Sequence, residues 1–413
     1  MQSGVSYSAY GTGDKPKLYA SPENGADPDK WSLVNGTDNI WVYEKEMYDV
    51  GLVVFNDGES WSSKEIPSYI PGTGFVIRGT ESDPQLFSLE ELDENLEHVS
   101  LCDSVCDSNG YPIREEAIGK LYLRCNEGNP GEVYDSIEFS LSVYIVDGRS
   151  VNGVSKSNVL IDNLCVKNGG AHGIGVGDVT GFTVQNCEVG FIGGGIQSYS
   201  SSTYKATRYG NGIEVHGSCD GFIVKNNYVY QCYDAGISHQ RSADTVNVDY
   251  AFNNITYSGN LVENCTYSIE YFMGESKLET PRKRIMSNIL FENNILRTAG
   301  EGFGIQRLNN DKYGYRFAHI MSWWSVANSA ENFVIRNNTL DRSEYALMLI
   351  CAADEESLPR MSGNVYIQSS DKDLGIYGLT READEPRIAF DTQVESYVKD
   401  NIDPFAMVEA INQ

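Results

Sequence analysis

The chain has 413 residues, is 41% hydrophobic, and carries 58 acidic against 31 basic residues for a net charge near −27. That is enough apolar material to fold, at a length natural for a solenoid or for two domains. The acidity argues against a nucleic-acid or anionic-membrane partner, because phosphate binding needs clustered Lys and Arg, and no apolar run approaches a membrane span.

In chain order, residues 1–29 open with Gly4-Val5-Ser6-Tyr7-Ser8-Ala9-Tyr10-Gly11, an alternating strand that ends in a turn. This stretch is expected to be an early β-helix coil, with an upstream portion missing. Met1 is followed by polar residues and no signal peptide is visible. The nine cysteines are odd in number and form no CxxC pair. As the sequence stands these features point to a cytoplasmic protein. A truncated start would leave secretion open.

Residues 30–145 carry short β runs with turn chemistry, such as Asn39-Ile40-Trp41-Val42-Tyr43 and Gly51-Leu52-Val53-Val54-Phe55. They read as a small β-rich module inserted into the solenoid. Residues 146–365 are expected to form the main parallel β-helix, and from about Asn158 to Leu349 one pattern recurs. A β-rich apolar triplet leads through a polar residue to Asn, then a second short strand, then Gly-Ile or a near equivalent. Copies begin at Asn158, Gly181, Gly221, Asn254, Asn288 and Asn332, about 23 to about 44 residues apart. A coil needs a minimum length to go once around, and the excess leaves as surface loops. Asn at each corner suits a tight left-handed turn, and stacked Asn side chains can bond one another along the solenoid. Cys232 and Cys265 sit six residues after their corners, so they are expected to stack as small core hydrophobes. The stretch 366–413 reads as closing strands and a polar tail. The expected fold is therefore all-β: a right-handed parallel β-helix solenoid with an inserted β-rich module.

Gly212-Ile213-Glu214-Val215-His216-Gly217, Asn226-Asn227-Tyr228-Val229-Tyr230 and Asp234-Ala235-Gly236-Ile237 resemble the coils of pectate-lyase-like right-handed β-helix proteins. The resemblance spans roughly residues 158–365. It implies a carbohydrate-processing groove, since that group includes glycoside hydrolases, polysaccharide lyases and uronan epimerases. The Asp-Asp pair and Arg-x-Lys element of polygalacturonases are absent from the matching coils, so that family is not assigned.

Registering the copies on Gly-Ile places the next residue of each on the opposite face from Ile. That column reads Gly175, Glu214, Ser238, Glu270, Gln306, Met348. Glu214 and Glu270 are then two coils apart, about 9 to 10 Å between backbones, near the roughly 6.5–9.5 Å carboxyl separation of inverting glycosidases. Asp234 precedes Gly236-Ile237 in the coil between them. Glu214, Asp234 and Glu270 are the expected catalytic carboxylates, because crowding of acids raises one pKa and divides the acid and base roles. His216, His239 and Gln306 are expected to bind substrate beside them. Tyr204, Arg208 and Tyr209 in one long excursion, and Arg316, Trp323 and Trp324 in another, are expected to hold sugar rings. Lys277, Arg282, Lys283 and Arg284 read as a solvated loop.

The expected partner is thus a poly- or oligosaccharide and the expected activity glycoside hydrolysis, with no cofactor. The alternatives are a lyase or epimerase using Lys205, Arg208 or a His as base with Ca²⁺ held by acidic residues, and a non-catalytic glycan-binding β-helix.

Overall fold

The computed structural model describes the chain apart from residues 71–72, 81–82, 103–110, 112–115, 151–152, 201–205, 308–316, 323–327, 380–386 and 412–413, and apart from the side chains of 77–80 and 83. Three long sheets dominate it, and the chain visits them in rotation. One circuit runs Val179–Gln185 in the first sheet, Glu188–Ile192 in the second, Ile213–His216 in the third, then Cys219–Lys225 back in the first. Strands of successive circuits pair in parallel, as in Phe182↔Phe222↔Ile255↔Ile289↔Phe333. The protein is all-β with long parallel sheets, an arrangement consistent with a β-helix.

The corners explain why these residues turn where they do. Asn163, Asn186, Asn226, Asn293 and Asn337 all have φ between 53° and 56°, and Gly259 and Gly363 fill the same place in two other circuits. Asn and Gly are the residues that enter left-handed backbone with least strain. The residue after the corner builds a buried ladder. Asn227, Asn260, Asn294, Asn338 and Asn364 each bond the next, with side-chain N···O distances of 2.9–3.0 Å. The ladder ends on Asp403, which is fully buried and accepts from the backbone of Gly363 and Asn364 and from the Asn364 amide. A carboxylate can close the ladder because it accepts only, so no unpaired donor is left inside.

Between the three sheets the apolar columns stack. The rings of Tyr257 and Phe291, adjacent in register, lie 4.9 Å apart and nearly parallel. Cys232 and Cys265 are both free and fully buried in this core. At the C-terminal end the helix Val394–Asn401 turns Val394 and Val398 into the same core, and Phe390, Ile402 and Ala406 join them. Covering the last circuit this way shields apolar rows that would otherwise meet water.

The first 29 residues contribute Ser6–Ser8 to the first sheet and Lys17–Tyr19 to the second, both in parallel pairings. Within 30–145, the strands Val50–Phe55 and Ile137–Leu141 belong to the second sheet as an antiparallel pair. Ser60–Trp61 pairs with Val50–Phe55 at the edge of that sheet, and other strands of the stretch form a separate sheet in the order Trp31–Leu33, Ile40–Tyr43, Ile118–Arg124, Glu97–Cys102, Ser63–Glu65, and a three-stranded sheet from Ser68–Ile70 onward. Asp49 fastens this region to the circuits. Its carboxylate takes the buried Lys64 ammonium at 2.5 Å and the backbone N–H of Ile196 at 2.7 Å. Taking such a pair out of water is costly, so its value lies in the second contact, which fixes where the added sheets sit. Of the basic cluster, Arg284 departs from the expected solvated loop. It is buried, bonded to Asp244 at 2.8 Å and to the Val248 carbonyl, and its guanidinium lies over Tyr250.

Candidate functional site

The third sheet carries the expected column, and its register is now explicit. Asp147, Gly175, Glu214, Ser238, Glu270, Met321, Leu349 and Ile376 stand side by side. Their neighbours Ile213, Val215, Ile237, Ile269 and Tyr271 fill the core, so alternation turns Glu214 and Glu270 to the outer face. The two acids are two strands apart, with Ser238 between them. The outer face changes character along its length. Met321, Leu349 and Ile376 pack with Ala318 and Ala346 into an apolar cluster. Within this column the polar residues Asp147, Glu214, Ser238 and Glu270 stand in the earlier circuits.

Two members of the expected column are wrong. The strand of the fifth circuit is Ala318–Ser322, and Met321 occupies the place assigned to Gln306. Gly304-Ile305 belongs instead to a short 3-10 helix, Phe303–Gln306. Gln306 therefore points to the 30–145 region, donating to the Ser62 carbonyl and accepting from the Lys64 N–H. In the sixth circuit Met348 pairs with Ile320 in the core row, one residue out of the expected register.

Glu214 is 4% exposed and held from two sides. Its Oε2 accepts from the Asn211 side-chain amide at 2.6 Å and lies 2.9 Å from His172 Nδ1. The Asn211 amide cannot be turned round, because its Oδ1 accepts from the Ala235 N–H at 2.9 Å. Burial alone pushes the Glu214 carboxyl up, but the His172 imidazole and these hydrogen bonds outweigh it and hold it at about 2. Glu214 is thus the ionised carboxylate of the face.

Aromatic rings enclose the pair. His172 meets Tyr144 and Tyr209 edge-on, with centroids 4.8 and 5.0 Å away. Tyr144 lies across Gly175, where a Cβ would come within 2.7 Å of its ring, so the glycine in the column makes room for the tyrosine. Arg149 stacks on the Tyr144 ring at 4.2 Å and pairs with Asp147 at 2.7 Å. Burial, then the nearby Glu214 charge, pushes the Tyr144 phenol far up, so it stays neutral as a hydrogen-bonding group.

The remaining expected site residues fall in several places. Glu270 is 2% exposed, in the Glu214 column. His216 ends the same outer strand and is exposed, next to Gln240. Asp234, at the corner before Ala235–Arg241, forms an ion pair with Arg307, whose guanidinium lies over Tyr267. Asp234 is therefore engaged by an arginine. His239 is a correction. It occupies the Val215 and Tyr271 row inside the core, fully buried, with Nδ1 3.0 Å from the Tyr257 hydroxyl and its ring stacked on Tyr271. Being an odd number of residues past Ser238 reverses its direction.

Arg208 is a second correction. It is buried, donates through Nε to the Gly194 carbonyl at 2.6 Å, and stacks on Tyr233 at 4.3 Å, so it clamps the fold and is no substrate arm or base. Tyr209 does reach the Glu214 cluster. Tyr204, Lys205, Arg316, Trp323 and Trp324 lie outside the described residues.

His172, Asn211 and Tyr144 were not among the expected residues. His172 and Asn211 each directly precede a Gly-Ile pair, Gly173-Ile174 and Gly212-Ile213. A second column read two positions before Ile would have found both. Tyr144 comes from a bend outside the repeats, and no periodicity marks it. Among the described residues, no three His, Cys, Asp or Glu side chains stand together as a metal site.

No family model and no curated protein matches the chain. One solved structure, a complex of XylC with xylose, is similar at 10% identity and a TM-score of 0.44, over 92% of this chain and 62% of that one. The chain thus spans about 62% of that neighbour's length, and likeness at this level carries no argument about the chemistry here.

Proposed function

We propose that the polar outer face of the third sheet processes a carbohydrate, and that it does so as a glycoside hydrolase. The observation that supports this reading is the pair Glu214 and Glu270, in one outward column two strands apart. Two strand spacings put their backbones about 9 to 10 Å apart, and side-chain lean brings the carboxyls toward the separation that leaves room for a water in an inverting enzyme. Glu214, ionised beside His172, is suited to take a proton from that water. Glu270 then gives a proton to the glycosidic oxygen as the C–O bond breaks. Tyr144 and Tyr209, 6.4 Å apart, offer aromatic surface for the apolar face of a sugar ring.

A lyase or epimerase reading loses Arg208 as its base, because that guanidinium is bonded inside the fold. A non-catalytic glycan-binding role is favoured by one observation, the deep burial of both acids. A panel of polysaccharides, read at once for reducing ends and for the ultraviolet absorbance of unsaturated uronides, separates the three. The hydrolase reading expects reducing ends alone. Unsaturated product means a lyase, and retention of a glycan without product means a binding protein.

A further inference from the structure

The contacts of His172 Nδ1 carry one step beyond this reading, on which the inference rests. That nitrogen faces two partners: Glu214 Oε2 at 2.9 Å and the backbone N–H of Asn211 at 3.0 Å. An imidazole nitrogen has one bonding direction in the ring plane, filled either by a proton or by a lone pair. If Nδ1 carries the proton it donates to Glu214, and the Asn211 N–H meets another N–H. If Nδ1 is bare it accepts from Asn211, and two lone pairs then meet at Oε2 unless Glu214 holds the proton. The Glu214 contact therefore needs one proton between Oε2 and Nδ1, and the Asn211 N–H, which bonds only a bare Nδ1, draws that proton toward Oε2.

We propose that His172 is a positioning residue that shares a single proton with Glu214, and so sets which of the two outer-face carboxylates serves as base. With the proton on Nδ1, Glu214 is a carboxylate and can accept a proton from water. With it on Oε2, Glu214 is neutral and the face is idle. The second oxygen contact, from the Asn211 side chain, is compatible with either state, since Oε2 has a lone pair left for it. Other charged or titratable groups also bear on the pair. Tyr144 and Tyr209 pack on the ring, Arg149 and Asp147 lie behind Tyr144, and His216 is on the Glu214 strand.

The test does not depend on turnover. The chain has five histidines, so ¹⁵N-imidazole spectra of the full-length protein can be resolved and assigned. His172 is expected to show a protonated Nδ1 with an intermediate, proton-sharing shift near neutral pH. In Glu214→Gln that proton-sharing shift should collapse to one of an ordinary ring nitrogen while the signals of His239 and His319 stay in place, which reports an intact core. An Nδ1 shift equal in wild type and E214Q, or a bare Nδ1 in the wild type, overturns the proposal. Where hydrolysis is found, His172→Gln should also move the acidic limb of the kcat/KM profile upward by about one unit, with little change in KM. A spectrum that shows the shared proton in a protein without hydrolytic activity would leave the dyad standing and remove only the glycosidase reading.

Discussion

Replacing Glu214 by Gln keeps the shape and removes the charge, and the structure sets what this costs at each pH. The carboxyl sits at about 2 in the fold against an ordinary value of 4.5. A depressed carboxylate stabilises above its unfolded value, and that stabilisation is lost as pH falls through the folded one. A gap of this size is worth about 3 kcal/mol at pH 6 and about 2 kcal/mol at pH 3.5. The stability difference between wild type and E214Q should therefore shrink at pH 3.5 to roughly 60% of its pH 6 value. Urea unfolding followed by tryptophan fluorescence reads it, as the first transition at each pH, because a chain of this length need not unfold in one step. A difference that is flat from pH 6 to 3.5, or that grows on acidification, would show that Glu214 is not held ionised by His172 and would undo the assignment of roles.

Other consequences are open to direct measurement. His239, pushed down to about 3 by burial, must stay neutral in the core, so acid costs stability below the unfolded value of 6.5. His239→Phe should reduce the loss between pH 6.5 and 5 by about 2 kcal/mol in chemical denaturation; an unchanged pH slope would place the ring elsewhere. Asn294→Ala removes the middle of the buried ladder and strands the Asn260 and Asn338 groups on either side. It should destabilise by about 3 kcal/mol or more, and calorimetry showing a loss under 1 kcal/mol would mean that the ladder relaxes around the gap. Gly175→Ala drives a methyl into the Tyr144 ring. It should impair sugar binding, measured by calorimetric titration, while thermal stability changes little, since the ring lies on the outer face.

Much of the fold was legible because the coil repeats its own chemistry. The Asn corners at 163, 186, 226, 293 and 337 announce left-handed backbone, and the apolar triplets before them alternate as strands must. Registration then placed Glu214 and Glu270 in one column correctly. It failed where the marker was a decoy. Gly304-Ile305 mimics the strand signal but sits in a 3-10 turn, so Gln306 was misplaced, and Leu347 stood in for the core position that Met348 fills. His239 was misread because a period of two assigns opposite faces to neighbours, and an error of one residue inverts the side chain. Arg208 looked like a substrate arm because its partners, the Gly194 carbonyl and the Tyr233 ring, are close only in the folded chain. Tyr144 carries no sequence signal, since a bend outside the repeats delivers it to the site.

The measurement that bears most directly on the account is reducing-end release by wild type, Glu214→Gln, Glu270→Gln and His239→Phe on the polysaccharide that the wild-type protein cleaves. Each glutamine variant should fall by a factor of about a thousand or more, while the core histidine variant stays within about twofold. Glutamine variants that cleave as fast as wild type would contradict it.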